Sequence, residues 1–180
     1  NVCQENLAKL NNQCANNIYK ASNIIINTIK RKNKLMIMGN GGSASDSQHL
    51  SAELIGRFIK DRKPFPAIAL TTDTSILTSV SNDYSFEDVF LRQLQGIGNS
   101  GDAILAITTS GNSKNIIKAA EYANNNKLKV ISLTGNNGGI ISSMSDCNIS
   151  VPSEVTSHIQ EMHIVVIHLL CTLIENKLIS

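Results

Sequence analysis

Read for its alternation of apolar and polar positions, the chain opens on one long stripe. Leu7, Leu10, Cys14, Ile18, Ala21, Ile25 and Ile29 recur at spacings of three and four, which predicts an amphipathic helical segment, in one piece or two, over residues 2–32. The pattern then changes to short apolar runs bounded by polar residues or glycine. Runs at 35–38, 67–70, 102–108, 129–133 and 147–151 predict five buried strands. Between them, helical periodicity predicts a helix ending at Leu54, one over 75–81 entered through a capping loop at 71–74, one over 86–97 and one over 114–125. Pro64 and Pro66 break the chain before the second strand, Asn82-Asp83-Tyr84 reads as a turn, and Pro152 stops the fifth strand. The last segment, 159–179, is apolar nearly all round, interrupted by Glu161, His163 and His168. A helix of that kind needs cover on several sides, which in so small a domain points to a subunit interface. Strands alternating with helices predict an α/β domain whose parallel sheet is covered on both faces. Ligands in such sheets bind beyond the carboxyl ends of the strands.

Two junctions at those ends carry candidate chemistry. After the first strand come Gly39-Asn40-Gly41-Gly42, then residues 43–46, then a helix bearing His49 and Glu53. Glycines let backbone approach a ligand closely, and a helix start offers unpaired N–H groups to an anion. His49 and Glu53, four apart, share one helix face, where they suit metal binding, proton chemistry or both. There is no G-x-G-x-x-G, so a dinucleotide fingerprint is excluded. After the third strand, Thr108-Thr109-Ser110-Gly111-Asn112-Ser113 leads straight into the helix at 114–125. Hydroxyls beside a helix start favour a phosphate monoester over an ordinary Ser/Thr cap. Both turns sit at the carboxyl ends of strands, so they can face one pocket.

Composition narrows the field without pointing to a site. The 180 residues suit one domain; 42% are apolar, and the net charge of +2 is too small to argue for nucleic acid. Cys3, Cys14, Cys147 and Cys171 form no C-x-x-C pair, which excludes zinc-ribbon and thioredoxin readings and leaves reduced thiols of a cytosolic protein. No uncharged apolar run approaches a membrane span and no signal-peptide pattern is visible, so a cytoplasmic protein with neither membrane nor nucleic-acid partner is expected.

Taken together, GNGGSASDSQHLSAELIGR, IALTTDTS, SNDYSFEDVF, TTSGNSKNIIKA, VISLTG and HIQEMHIVVIH resemble, in order and over nearly the whole chain, the phosphoheptose isomerases of the sugar isomerase (SIS) domain family; the match is weakest over the first thirty residues. The resemblance implies one SIS domain over 1–180: a flavodoxin-like three-layer α/β sandwich with a five-stranded parallel sheet, an N-terminal helical segment (1–32) packing on the domain or on a partner subunit, and a long C-terminal helix. It implies a homotetramer with sites at subunit interfaces, and zinc in at least some members. The implied reaction interconverts sedoheptulose 7-phosphate and D-glycero-D-manno-heptose 7-phosphate through an enediolate, early in bacterial surface heptose synthesis. By the same resemblance His49, Glu53, Gln160 and His168 match metal ligands, and Glu53 and His168 also match the acid–base pair. Asn40, Gly41, Gly42, Asn82 and Asp83 match sugar contacts, and Thr108, Thr109, Ser110 and Ser113 match the phosphate turn. Many relatives carry Ser at the position of Thr108 and Arg at that of His158; if that Arg serves an anion or an interface, the site here is weaker or pH-dependent. Two rivals are a non-catalytic SIS regulator that binds the replication initiator protein and an SIS enzyme for another sugar phosphate. The retained pair Glu53 and His168 argues against the first, the whole-chain match against the second. One conflict stands inside the inferred site: Gln160 and His168, eight apart on one helix, have Cα atoms about 12 Å apart. Either Gln160 precedes the helix, or the ligands of one metal come from different subunits.

Overall fold

A computed structural model describes residues 2–179. Helix α1 (Val2–Lys30) precedes five strand–helix units: β1 (Leu35–Gly39), α2 (Gly42–Ile55), β2 (Ala67–Ala69), α3 (Thr74–Asp83), α4 (Val89–Ile97), β3 (Ala103–Thr108), α5 (Lys114–Asn125), β4 (Lys129–Gly135), β5 (Cys147–Val151) and α6 (Thr156–Leu178). Single 3-10 turns at Phe86–Asp88 and Ile140–Met144 lead into α4 and β5. All pairings are parallel, in the order β2-β1-β3-β4-β5. The order reverses between β1 and β3, the place where a doubly wound sheet opens a crevice for ligand.

Side-chain alternation along the strands divides the core in two. Leu35, Ile37, Leu105, Ile107, Ile131 and Leu133 face a layer built from α1, α2 and α6. Met36, Met38, Ile104, Ala106 and Val130 face α3, α4 and α5. From Leu10 to Ile25 the stripe on α1 is buried in the first of these cores, Ala21 and Ile25 completely, with Ile167, Leu170 and Ile174 of α6 in the same cluster. Among the described residues α6 is the one helix long and apolar enough to span a membrane by length and composition. Here it is a core helix, with Val166, Ile167, Leu170 and Ile174 fully buried.

Three of the element boundaries that differ from expectation move a candidate residue. Helix α2 begins at Gly42, so residues 43–46 form its first turn. Gly41, at φ 56°, makes the bend, and Ser43 N–H already bonds Asn40 C=O. Helix α3 runs on through Asn82 and Asp83, because no Gly or Pro stops it before Tyr84. Helix α6 starts at Thr156: its polar first turn shows no apolar period, yet it is helical, and Gln160 therefore lies within the helix. The cysteines Cys14, Cys147 and Cys171 are free thiols.

Candidate active site

Two imidazoles meet at the centre of the site. His49, in the second turn of α2, and His168, midway along α6, place their Nε2 atoms 3.0 Å apart, with ring centroids 5.2 Å apart in an edge-on arrangement. Glu53, one turn beyond His49, brings Oε1 to 3.5 Å from His49 Nε2. Helix pitch explains the second contact; the packing of α2 against α6 supplies the first. Two nitrogens on one tetrahedral metal at about 2.0–2.1 Å stand about 3.3 Å apart, so the imidazole pair is near the spacing such an ion requires. Two imidazoles and a carboxylate are also donor types that zinc takes. Among the described residues, however, no three His, Cys, Asp or Glu side chains form a closed metal-holding group. Glu53 reaches the pair through the same His49 nitrogen that faces His168.

Gln160, the fourth residue matched to metal ligands, stands elsewhere on α6. It lies two helical turns before His168, over the start of α2, where a Cβ on Gly42 would collide with its side-chain amide. That contact gives Gly42 a reason of its own: the turn accepts Gln160 only without a side chain. The first way out of the conflict within the metal set, a Gln160 placed ahead of the helix, is thereby closed.

The sugar-side residues fall into two groups. Asn40 and Asn115 form a two-point amide pair: Asn40 Nδ2–H donates to Asn115 Oδ1 at 3.0 Å, and Asn115 Nδ2–H donates to Asn40 Oδ1 at 2.9 Å. Asn115 is buried in the first turn of α5, so this pair ties the glycine turn to the hydroxyl turn and leaves Asn40 one donor and one lone pair for a ligand. Gly41 and Gly42 line the approach beside it. Asn82 and Asp83 meet each other at the end of α3, the amide donating to the carboxylate at 2.8 Å.

At the hydroxyl turn Ser113 does not cap α5 with its side chain. Its Oγ lies 3.2 Å from Thr108 Oγ1 instead, and Ser110 Oγ accepts from Asn112 N–H. The helix start therefore keeps N–H groups for an incoming anion. Thr109 and Ser110 line a polar cavity of about 350 Å³ with Asn112, Asn137 and Thr156. Gly111, at φ 70°, packs on the Gly138 carbonyl, where a side chain would not fit. His158 is half-buried in the first turn of α6, between two residues that line it.

Four residues near the site carried no separate sequence signal. Asn115 reads as a polar helix position until its burial shows that it needs a partner. Asp46, one turn before His49, has a buried Oδ2 without a hydrogen bond; burial pushes its carboxyl up to about 6, against a smaller lowering by His49. Phe58 stacks on His168, centroids 5.8 Å apart and planes at 25°. Arg62 Nη2 donates to the backbone C=O of Glu53 at 2.7 Å. Phe58 and Arg62 stand in a stretch without periodicity, where only an aromatic and an arginine amid polar neighbours mark them.

Comparison with known proteins gives the same outline. The family model described as "SIS domain" matches residues 1–135. A phosphoheptose isomerase of Nitratiruptor sp. is 51% identical over 89% of this chain and 86% of its own length, and one from Aliarcobacter butzleri is 46% identical over 97% and 93%. The solved phosphoheptose isomerase of Francisella tularensis superposes with a TM-score of 0.94 at 36% identity, covering 97% of this chain and 93% of that one; that of Neisseria gonorrhoeae gives 0.92 at 37%. The fold and the matched model define the class, the sugar isomerase domain proteins. Within that class the chain belongs to the phosphoheptose isomerases.

Proposed function

We propose that this protein is an aldose–ketose isomerase that interconverts sedoheptulose 7-phosphate and D-glycero-D-manno-heptose 7-phosphate, an early step of bacterial heptose synthesis for a surface polymer. Relatives that share half of its residues over most of its length carry that activity in their names. The observation that supports the reading most directly is the meeting of His49 and Glu53 of α2 with His168 of α6, on a helix entered through the glycine turn at the reversal of the sheet. Neither a regulator nor an enzyme for another sugar phosphate is favoured by these relatives.

In this reading the phosphate sits on Thr109, Ser110 and the start of α5, and the sugar chain runs past Asn40 toward α2. The Glu53 carboxylate removes the proton from the carbon beside the carbonyl and returns it to the neighbouring carbon. His168 moves the proton between the two sugar oxygens, so that charge never accumulates on the enediolate. Such groups contribute about 10²–10⁴-fold each. His49, Glu53 and His168 are the residues that would hold zinc, which when bound supplies Lewis-acid polarisation of the sugar oxygens. Gln160 joins that set from a neighbouring chain of a cytoplasmic homotetramer. The apolar groove between α1 and α6, where Leu7, Tyr19 and Leu169 stand exposed, supports burial of this face against another copy.

The activity is tested by adding purified protein to sedoheptulose 7-phosphate and following the aldose product by NMR; absence of product overturns the assignment. The zinc assignment expects roughly one zinc per chain in protein prepared without chelator and a lower melting temperature after EDTA. Full activity and unchanged melting without metal would remove it. The shared site is tested by mixing inactive chains. Glu53→Ala mixed with Gln160→Ala regains activity in mixed tetramers, whereas Glu53→Ala mixed with His168→Ala stays inactive.

A further inference from the structure

Between α2 and β2 the chain crosses residues 56–66 without helix or strand, yet two buried side chains hold the crossing. Glu175 of α6 accepts from Ile59 N–H at 3.1 Å, Lys60 N–H at 3.0 Å and Arg62 Nε–H at 3.0 Å. Arg62 spends its remaining donors on the last turn of α2 and the segment itself: Nη1 on Leu54 C=O and Lys63 C=O, Nη2 on Glu53 C=O. The side chains of Arg62 and Glu175 are 4% and 3% exposed, and the guanidinium lies 4.0 Å over the Phe65 ring. Burial alone would raise the Glu175 carboxyl; the amides of Lys60 and Ile59 and the Arg62 guanidinium hold it below the usual carboxylate range. Lys60 Nζ adds a bond to Asn176 of α6 at 3.2 Å, and Phe65 N–H bonds Leu54 C=O.

The position of this clamp sets it apart from an ordinary loop anchor. A helix C-terminus leaves carbonyls unsatisfied, and a cation there suits the helix dipole. The carbonyls that Arg62 takes are those of Glu53 itself and its neighbour, so the guanidinium fixes the backbone from which the base projects. One residue before the Glu175 anchor, Phe58 lies against the His168 imidazole in an offset stack. Arg62 thus holds one member of the acid–base pair and Phe58 backs the other, and a single carboxylate on α6 ties both to the frame.

We propose that Phe58, Arg62 and Glu175 are positioning residues for the isomerisation: the 56–66 segment is a clamp that fixes Glu53 and His168 relative to each other. The inference rests on the isomerase reading, because it needs those two residues to act as a pair. Loosening the clamp leaves the phosphate and sugar turns intact, so it lowers kcat and spares KM. Displacement of reacting groups by fractions of an ångström to an ångström costs about 10–10²-fold.

The test uses Phe58→Leu, which keeps an apolar side chain and removes the ring face, and the double variant Arg62→Met with Glu175→Gln, which removes the pair without leaving a buried charge alone. Turnover of sedoheptulose 7-phosphate is expected to fall about tenfold or more in each, with KM within about twofold of the parent. Phe58→Tyr, which restores the ring face, is expected to recover kcat. The ring resonances of His168, assigned by their loss in His168→Asn, are expected to shift in Phe58→Leu and return in Phe58→Tyr. Folded variants with parental kcat and unmoved His168 resonances would overturn the proposal and leave the clamp a stability device. Absence of turnover in the parent protein would instead overturn the isomerase reading, and the His168 resonances would still report whether Phe58 fixes that ring.

Discussion

The two helical layers of the sandwich handle charge in opposite ways. The layer of α1, α2 and α6 closes over an ion pair: Arg62 and Glu175 are 4% and 3% exposed, and His163 is enclosed as a neutral ring, while the imidazole pair of the same layer lies open, with the His49 side chain 41% exposed. The layer of α3, α4 and α5 keeps its charge outside. Its ion pairs, Lys114 with Glu87 and Lys118 with Glu87 and Asp88, are water-exposed, and the Glu87 carboxyl and the Lys118 side chain are 37% and 39% exposed. What the second layer buries is neutral, such as Asn115. A buried charge is costly unless every bond is made, and once made it is fixed. In the proposed reaction, that fixed pair stands behind the groups that exchange protons, since Arg62 holds the Glu53 carbonyl. The second layer carries a hydroxyl turn and a helix start, which offer an anion neutral donors in place of a side-chain charge.

The largest expected effect breaks the comparison at its first term. Glu53→Gln keeps shape and removes basicity, so kcat falls by at least about 10²-fold while sugar phosphate still binds. Steady-state kinetics check this; a variant with near-parental kcat would take the base out of the α2 layer. The second effect belongs to the other layer. Thr109→Ala with Ser110→Ala removes two polar contacts at a site meant for a charged group, so KM for the phosphorylated sugar rises about tenfold or more with little change in melting temperature. Unchanged KM would move the phosphate elsewhere.

Much of this division was legible in the sequence. Alternating runs predicted five strands in the right places, because buried parallel strands are almost uniformly apolar. His49 and Glu53 were paired by helical spacing alone, and the hydroxyl turn was found by composition at a strand end. What escaped is whatever depends on packing between distant elements. The contact of His49 with His168 spans 119 residues, and it was reached only through a resemblance. Asn115, Phe58 and Arg62 gained their roles from partners that no local pattern indicates. The three shifted boundaries share one cause: polar first or last turns, such as 43–46, 82–83 and 156–158, are helical by backbone bonding while lacking the apolar period that marks helices in a sequence.

A third prediction sharpens the contrast through pH. His163 is enclosed in the first layer, and neither ring nitrogen has a hydrogen bond of good geometry; burial pushes its pKa down to about 4, with the Thr134 backbone pulling weakly the other way. An unfolded histidine titrates near about 6.5. Above that value both states are neutral and His163 has no pH-dependent effect. Below it the unfolded chain takes up a proton that the folded chain refuses, so stability falls steadily down to about pH 4 and levels off there. Between pH 7 and 5.5 the loss is about 1 kcal/mol. Melting temperatures of the parent and of His163→Leu across that range check it: the parent is expected to fall more steeply. Parallel curves would show that this histidine finds a partner in solution.

The smallest expected effect lies in the second layer, and its smallness is the point. Lys118 reaches both Glu87, at 3.5 Å, and Asp88, at 3.0 Å, and the hydrogen bonds it donates, to Asp88 first, outweigh its slight desolvation to raise its pKa. On paper the network matches that of Arg62, with one cation on two acids against one acid on three donors. Water decides otherwise. Exposed pairs lose most of their attraction to solvent and salt, and holding long side chains together costs conformational freedom. Lys118→Ala is therefore expected to leave the melting temperature and both kinetic constants unmoved at physiological salt. Any small destabilisation should vanish as salt is raised. Removing Arg62 alone leaves the buried Glu175 charge to the Ile59 and Lys60 amides without a counter-charge, where salt gives no relief, and a marked drop in melting temperature should persist at every ionic strength. Thermal melts of Lys118→Ala and Arg62→Met at low and high salt place the two networks side by side. If Lys118→Ala destabilised as much as Arg62→Met, and equally at high salt, exposure would not be what separates the layers.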